Sequence, residues 1–227
     1  MRIFTNEKLF KRNTRLAFIA NLGAMFFLLV SVYVLFSGQA LGLYLLFLIA
    51  GIVCMQTGLY FGRWNRRPDL ALNVALKSVD DSYSLYHYTT PVSHLLLGPS
   101  GLWILLPRHA RGTITFDQRR QKWKLKTKGI LSRFGQEPIG RPIGEASLEA
   151  EALDRFLEKH WKKEDGDLRV QAALVFVSAS TEVEAAGKAP IPTVSLKKAK
   201  QMLLKADERS HLTKVQVKKL NDLFEGK

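Results

Sequence analysis

The sequence has a single cysteine and, over two long stretches, no charged residue at all. One cysteine, Cys54, excludes a disulfide framework and a cysteine-based zinc site within one chain, which is typical of a protein from a reducing compartment. The five histidines, of which His87 and His94 could face each other across a strand pair, lack the spacing of metal ligands. We therefore expect no metal and no cofactor.

Two apolar stretches near the start, Leu16 to Phe36 and Leu41 to Phe61, contain no Asp, Glu, Lys or Arg. Each reaches the length of about 20 residues that an α-helix needs to cross a hydrocarbon core of about 30 Å. The connector, residues 37–40, is long enough only for a tight turn, so the pair is predicted to form an antiparallel transmembrane hairpin. The alternatives are a buried helix pair in the core of a soluble protein and, for the first stretch, a cleaved signal peptide. The first stretch is longer than the apolar region of about 7–15 residues in a signal peptide.

Basic residues flank both apolar stretches, whereas the turn between them carries none. They are Arg2, Lys8, Lys11, Arg12 and Arg15 before the first stretch, and Arg63, Arg66 and Arg67 after the second. By the positive-inside rule, this pattern predicts an integral protein of the inner (cell) membrane with both termini cytoplasmic. The predicted domains are a basic N-terminus (1–15), the transmembrane hairpin (16–61) and a cytoplasmic domain (62–227). Glycines in the spans allow close packing within the hairpin or between copies, so a homo-oligomer is a further hypothesis.

The cytoplasmic part alternates between strand-like and helix-like patterns. A short helix is predicted from Asp69 to Val79, with Leu70 and Val74 as its main apolar positions and Leu72 and Leu76 as further candidates. The turn Gly98-Pro99-Ser100-Gly101 predicts a hairpin. The other predicted elements are strands at Tyr83 to Tyr88, Val92 to Leu97, Leu102 to Leu106, Thr113 to Phe116, Lys122 to Lys128, Val170 to Val177 and Pro192 to Val194, and helices from near Ser147, from Leu196 and from Thr213 to Phe224. This order predicts the α/β class, with a mixed sheet flanked by helices. The helix from near Ser147 is expected to have its glutamates on the outer face and an apolar stripe of Leu148, Leu153, Phe156, Leu157 and Trp161. The last helix is expected to have Thr213 as its N-cap and an apolar stripe of Val215, Leu220, Leu223 and Phe224.

The stretch from Val92 to Leu105, VSHLLLGPSGLWIL, resembles the opening hairpin of the nuclease-related domain (NERD) family. The similarity continues through Arg111 to Ile114, through Arg141-Pro142-Ile143-Gly144-Glu145 at the start of a helix, and through the buried strand and the final helix pair. It spans roughly Asp69 to Phe224. The resemblance implies a restriction-endonuclease-like fold, in which an Asp on one hairpin strand and a Glu-x-Lys on the next bind a divalent metal and position a water against a phosphodiester.

The family's metal-binding positions are degenerate in this chain. Matched position by position, the Asp falls on Ser93, the Glu on Leu106 and the Lys on Arg108. A leucine cannot bind magnesium, so the resemblance implies a pseudoenzyme without catalytic residues. Substitute carboxylates are the alternative, and those nearest in sequence are Asp80, Asp81, Asp117 and Glu137.

The chain is strongly basic, with a formal net charge of +14. The most distinctive charged feature is a lysine ladder on one face of a predicted strand, with two arginines just before it: Arg119, Arg120, Lys122, Lys124, Lys126 and Lys128. These are candidates for anion binding, with the anionic lipid surface or nucleic acid as partner. Protection of a sheet edge against aggregation is the structural alternative.

These observations favour a membrane-anchored, non-catalytic nuclease-related domain that acts in binding or regulation, through the basic face or an unknown protein partner. The alternative is a membrane-tethered, Mg-dependent nuclease with substituted carboxylates, which is the only case that requires Mg. A structural membrane scaffold is a third class.

Overall fold

The computed structural model describes residues 1–38, 41–77, 79–127, 138–162, 166, 168–185, 187–205 and 212–226. The chain divides into two compact units. Residues Asn6–Arg67 form a helical unit, and Met1–Thr5 together with Pro68–Lys227 form a sheet domain.

The helical unit consists of α1 (Glu7–Phe36), α2 (Leu41–Gly62) and a short 3₁₀ helix, Arg63–Arg66. Both long helices are long and apolar enough to cross a membrane. α1 begins well before the apolar run because the Asn6 side chain caps it, accepting a hydrogen bond of 3.1 Å from the Leu9 backbone N–H.

α1 and α2 pack along each other through small residues. Ala17, Ala24 and Ser31 of α1 are buried, and so are Gly51 and Gly58 of α2. A Cβ on Gly51 would lie 2.9 Å from the Leu28 side chain, so glycine is needed for this close approach. The large apolar side chains of both helices are exposed instead: Phe18, Phe26, Leu29 and Phe36 of α1, and Leu41, Leu46, Ile49, Val53 and Leu59 of α2.

One arginine after α2, Arg67, contacts the first residues of α1. The Arg67 guanidinium donates hydrogen bonds of 2.9 and 3.5 Å to the Glu7 carboxylate and lies 4.2 Å from the ring centroid of Phe10. Phe10 meets Trp64 edge to face at 5.2 Å. These contacts hold the beginning of α1 against the residues that follow α2.

The sheet domain contains a six-stranded mixed sheet in the order β1-β2-β3-β4-β7-β9 and a three-stranded sheet in the order β6-β5-β8. The strands are β1 (Arg2–Thr5), β2 (Ser84–His87), β3 (His94–Gly98), β4 (Gly101–Arg108), β5 (Gly112–Asp117), β6 (Lys122–Lys126), β7 (Val170–Phe176), β8 (Thr181–Val183) and β9 (Thr193–Ser195). The helices are α3 (Pro68–Leu76), α4 (Pro142–His160), α5 (Leu196–Leu204) and α6 (Lys214–Glu225). The α/β class with a mixed sheet is thus confirmed.

The large sheet has an apolar core on each face. Side chains alternate along β3 and β4, so Leu95 and Ile104 contribute to the core that includes α4 and α6. Leu96 and Leu105 contribute to the core that includes α3 and α5. The predicted hairpin is confirmed, since β3 and β4 pair antiparallel and Gly98 lies opposite Gly101.

The first strand was not predicted. β1 lies at the edge of the large sheet and pairs parallel with β2, from Arg2 opposite Ser84 to Thr5 opposite His87. The Phe4 ring stacks on Tyr86 at 4.8 Å, and the N-terminal ammonium group pairs with Asp81 and lowers the pKa of that carboxyl. A four-residue strand is too short for an alternation pattern to reveal it.

Three predicted helix faces are wrong in detail. On α3, Leu72 and Leu76 are buried whereas Leu70 and Val74 are exposed. α4 begins at Pro142 rather than near Ser147 because proline suits the first turn of a helix, and Leu148, predicted to lie on its apolar stripe, is exposed. On α6, Val215 is exposed, although the predicted cap is confirmed: Thr213 and Gln216 form a capping box.

Candidate functional site

The three degenerate nuclease positions lie at one end of the β3–β4 hairpin. Ser93 immediately precedes β3, and Leu106 and Arg108 lie near the end of β4. Because the two strands are antiparallel, these ends coincide. Leu106 is buried in the core shared with α4 and offers no oxygen to a ligand.

Two carboxylates from α4 approach this point. The Ser93 hydroxyl donates a hydrogen bond of 2.8 Å to Glu149 Oε1, and the Arg108 guanidinium forms an ion pair with Glu145. Glu145 and Glu149 are four residues apart, so they lie on the same face of the helix. We call Ser93, Arg108, Glu145 and Glu149 the hairpin-end cluster.

Three contacts of its guanidinium group hold the Arg108 side chain in place in the hairpin-end cluster. Its Nε donates to the Ile139 carbonyl oxygen at 3.0 Å and its Nη1 donates to the Pro107 carbonyl oxygen at 2.9 Å, while Nη2 pairs with Glu145. The guanidinium therefore ties the segment before α4 to the end of β4. It also places a permanent positive charge where the family resemblance would put a lysine.

Glu149 is the member of the hairpin-end cluster that can accept a further hydrogen bond. Its Oε2 atom is buried and has no hydrogen-bond partner among the described residues. Burial raises the pKa of this carboxyl, while the bond from Ser93 lowers it to a lesser extent. A carboxyl in this state can hold a proton, or accept a polar group, close to the end of the hairpin.

The described residues contain no group of three or more His, Cys, Asp or Glu side chains that could hold a metal ion. At the degenerate positions the family's divalent metal does not fit, because Leu106 supplies no oxygen and Arg108 adds a cation beside the two glutamates.

The chain was compared with protein-family models, curated proteins and solved structures. None of them matches. The NERD resemblance and its restriction-endonuclease-like fold therefore stay predictions.

The candidate substitute carboxylates are engaged elsewhere. Asp80 accepts from the Asp81 backbone at 2.6 Å and from Ser82 at 3.1 Å, which is a turn role, and Asp81 pairs with the N-terminus. Asp117 accepts from the backbone N–H groups of Arg119 and Arg120 and pairs with Lys124. Glu137 lies outside the described residues.

Sequence reasoning missed Glu145 and Glu149. The glutamates of α4 were expected on its outer face, whereas Glu149 faces Ser93. The available signal was their four-residue spacing just after Pro142, where the family resemblance places the start of a helix. The apolar periodicity begins the helix only near Ser147, which leaves Glu145 outside it.

The basic ladder lies on the edge strand of the small sheet. Lys122, Lys124 and Lys126 are exposed, whereas Trp123 and Leu125 turn inward, and the Trp123 indole N–H donates to Thr193 Oγ1 at 3.1 Å. Arg119 and Arg120 are exposed in the turn from β5 to β6. Lys124 is paired with Asp117 at 2.7 Å, and Lys128 lies outside the described residues.

A buried polar chain lies on the other face of the hairpin. His87 and His94 pair across β2 and β3, as expected, with their Nδ1 atoms 2.7 Å apart. His87 Nε2 lies 2.9 Å from Asn73 Oδ1, and the Tyr88 hydroxyl lies 3.2 Å from His94 Nε2. Burial and the neighbouring His87 lower the pKa of His94, so this imidazole is neutral near neutral pH.

Ionisation of Glu149 should make the stability of the sheet domain depend on pH. A carboxyl whose folded-state pKa is raised contributes stability that is fully present below its usual pKa of 4.5 and lost as pH rises through the raised value. Glu149→Gln removes this loss. We expect the free energy of unfolding of the wild-type chain in detergent, relative to that of the variant, to fall from about pH 4.5 towards neutral.

Glu151→Gln, an exposed glutamate on the same helix, is the matched control and should parallel the wild type. Denaturant titrations followed by tryptophan fluorescence provide the measurement. Parallel curves for wild type and Glu149→Gln would show that Glu149 titrates normally.

Proposed function

We propose that this chain is a membrane-anchored, non-catalytic binding protein whose sheet domain lies at the cytoplasmic face of the cell membrane. The hairpin of α1 and α2 is the anchor. Its large apolar side chains are exposed, which is costly in water but favourable in lipid, at about 25 cal/mol per Å² of apolar surface. A helix pair from the core of a soluble protein would bury them.

The pairing of β1 with β2 supports an even number of spans. β1 precedes the hairpin and β2 follows it, yet the two strands belong to one sheet. A hairpin that spans the bilayer twice returns the chain to the side from which it started, as this sheet requires. A signal peptide cleaved behind α1 would remove a strand of the fold. The basic flanks favour the cytoplasmic side.

The non-catalytic proposal rests on Arg108. Its guanidinium takes the place of the family's lysine and is engaged by Ile139, Pro107 and Glu145 at once. Moving it aside would leave three acceptors without their donor, so the charge remains in the site. We also propose that the sheet domain has the restriction-endonuclease-like fold of the NERD family. The β3–β4 hairpin and the helix that starts at Pro142 support this, since both are elements of the resemblance.

We propose the anionic lipid surface as the partner of the basic ladder. Lys124 is largely balanced by Asp117, so Lys122, Lys126, Arg119 and Arg120 carry the positive surface. At about 1 kcal/mol for each basic residue near an anionic membrane, four such residues contribute about 4 kcal/mol. The tether keeps the domain close to lipid, which favours this partner over nucleic acid.

This proposal is tested by hydrogen exchange on the full chain in lipid nanodiscs. We expect the amides of residues 112–127 to exchange more slowly in anionic than in zwitterionic nanodiscs. The double variant Lys122→Glu, Lys126→Glu should reduce that protection by at least about thirtyfold, because the two cations together contribute about 2 kcal/mol and about 1.4 kcal/mol corresponds to a factor of ten.

Lys214→Glu, Lys218→Glu on α6, both exposed, is the control of equal charge change and should keep the protection. Equal exchange in both nanodiscs would reject the lipid surface. Protection that appears only when DNA is added would favour nucleic acid.

The alternative is an Mg-dependent nuclease that uses Glu145 and Glu149 as substitute carboxylates. The observation in its favour is the buried, unpartnered Oε2 of Glu149. Our proposal predicts that the full chain leaves plasmid DNA intact with Mg²⁺ or Mn²⁺. Cleavage that is lost in Glu149→Gln but kept in Glu151→Gln would instead establish the nuclease.

A further inference from the structure

α3 has apolar side chains on its inner side and on its outer side. Leu72 and Leu76 are fully buried in the core. Asp69 is buried, and Asn73 contacts His87 in the interior. The outward positions Leu70 and Val74 are 50% and 75% exposed. A surface helix of a water-soluble domain normally carries polar residues on its outer side, whereas apolar residues on both sides are typical of a helix that is covered by protein or lipid.

The buried polar chain fixes this orientation of α3. Asn73 Oδ1 lies 2.9 Å from His87 Nε2, and His87 in turn lies 2.7 Å from His94. With Asn73 accepting from His87, the chain runs in one direction: Tyr88 donates to His94, His94 donates to His87, and His87 donates to Asn73. Rotating α3 to bury Leu70 and Val74 would break the last bond and leave polar atoms of His87 and Asn73 unpaired.

The length of the chain keeps α3 close to the end of the anchor. α2 ends at Gly62 and α3 begins at Pro68. The 3₁₀ helix Arg63–Arg66 takes up most of the connection and rises only about 2 Å per residue. α3 therefore begins within about 15 Å of chain path from the end of the span. The headgroup layer of each leaflet is about 5–8 Å thick, so the connection is short enough for α3 to lie at this layer.

From these observations we infer that α3 is an interfacial helix whose outer face, Leu70 and Val74, inserts into the cytoplasmic leaflet of the bilayer. Interfacial helices bury their apolar face about 5–10 Å into the boundary between headgroups and acyl chains. Lys77, exposed directly after α3, lies on the same outward face and suits a lipid phosphate. The inference rests on the proposed membrane anchor and adds a second, peripheral contact.

The test places an environment-sensitive fluorophore on α3. The full chain, with Cys54→Ser to remove its only cysteine, receives Val74→Cys or Val215→Cys and is reconstituted into vesicles with nitroxide lipids labelled near the headgroup. Val215 on α6 is the matched control, since it is a valine with 77% exposure against 75% for Val74. We expect about twofold quenching at position 74 and little at position 215, since an interfacial residue lies within about 10 Å of the nitroxide.

Equal quenching at the two positions, or none at either, would overturn the inference. So would quenching at position 74 that follows the protein-to-lipid ratio rather than the nitroxide content, because that result identifies a second copy as the occupant. A single variant, Val74→Glu, should move the outer face of the helix out of the leaflet and remove the additional protection from exchange that its amides gain in vesicles.

Alkaline carbonate extraction separates this inference from the proposed anchor. Wild type and Val74→Glu should both remain in the membrane fraction, because α1 and α2 hold them there. Release of the wild-type chain would reject the anchor itself. Retention without quenching at position 74 would reject only the interfacial position of α3.

Discussion

The parallel pairing of β1 with β2 is the constraint on which the architecture depends. It joins a strand that precedes the helical hairpin to a strand that follows it. If the helical hairpin spans a membrane as proposed, the sheet can be completed only when both ends of the hairpin emerge on the same side, so the fold of the domain restricts the topology of the proposed anchor. Phe4 on Tyr86 and the N-terminal ammonium on Asp81 hold the short strand in place.

The same sheet brings its polar groups together at one end of the β3–β4 hairpin. On one face Ser93 and Arg108 engage the two glutamates of α4, and on the other face His87 and His94 reach Asn73 of α3. The first group fixes the start of α4 to the sheet, and the second fixes the rotation of α3. In the second group both ring nitrogens of each histidine have a hydrogen-bond partner, so a different rotation of α3 would leave a polar atom unpaired.

Patterns that repeat along a single element were predictable from the sequence. The long apolar helices, the Gly98–Gly101 turn, the alternation of β6 and the Thr213 cap all depend on neighbours in the chain, and they are confirmed. Features set by distant contacts were not predictable. The four residues of β1 carry no periodic signal. Leu70 and Val74 have the spacing of a buried apolar stripe, but the contact of Asn73 with His87 fixes a rotation of α3 in which both are exposed. The position of Glu149 beside Ser93 likewise depends on how α4 crosses the sheet.

The topology of the hairpin is tested most directly by labelling cysteines with a thiol reagent that cannot cross membranes. In a Cys54→Ser background, Ser37→Cys reports the turn after α1, and Val215→Cys reports the sheet domain, both at exposed positions. The account predicts that in sealed, right-side-out vesicles position 37 reacts at once, whereas position 215 reacts only after the membrane is permeabilised. Reaction of both positions from the same side of the intact membrane would contradict it.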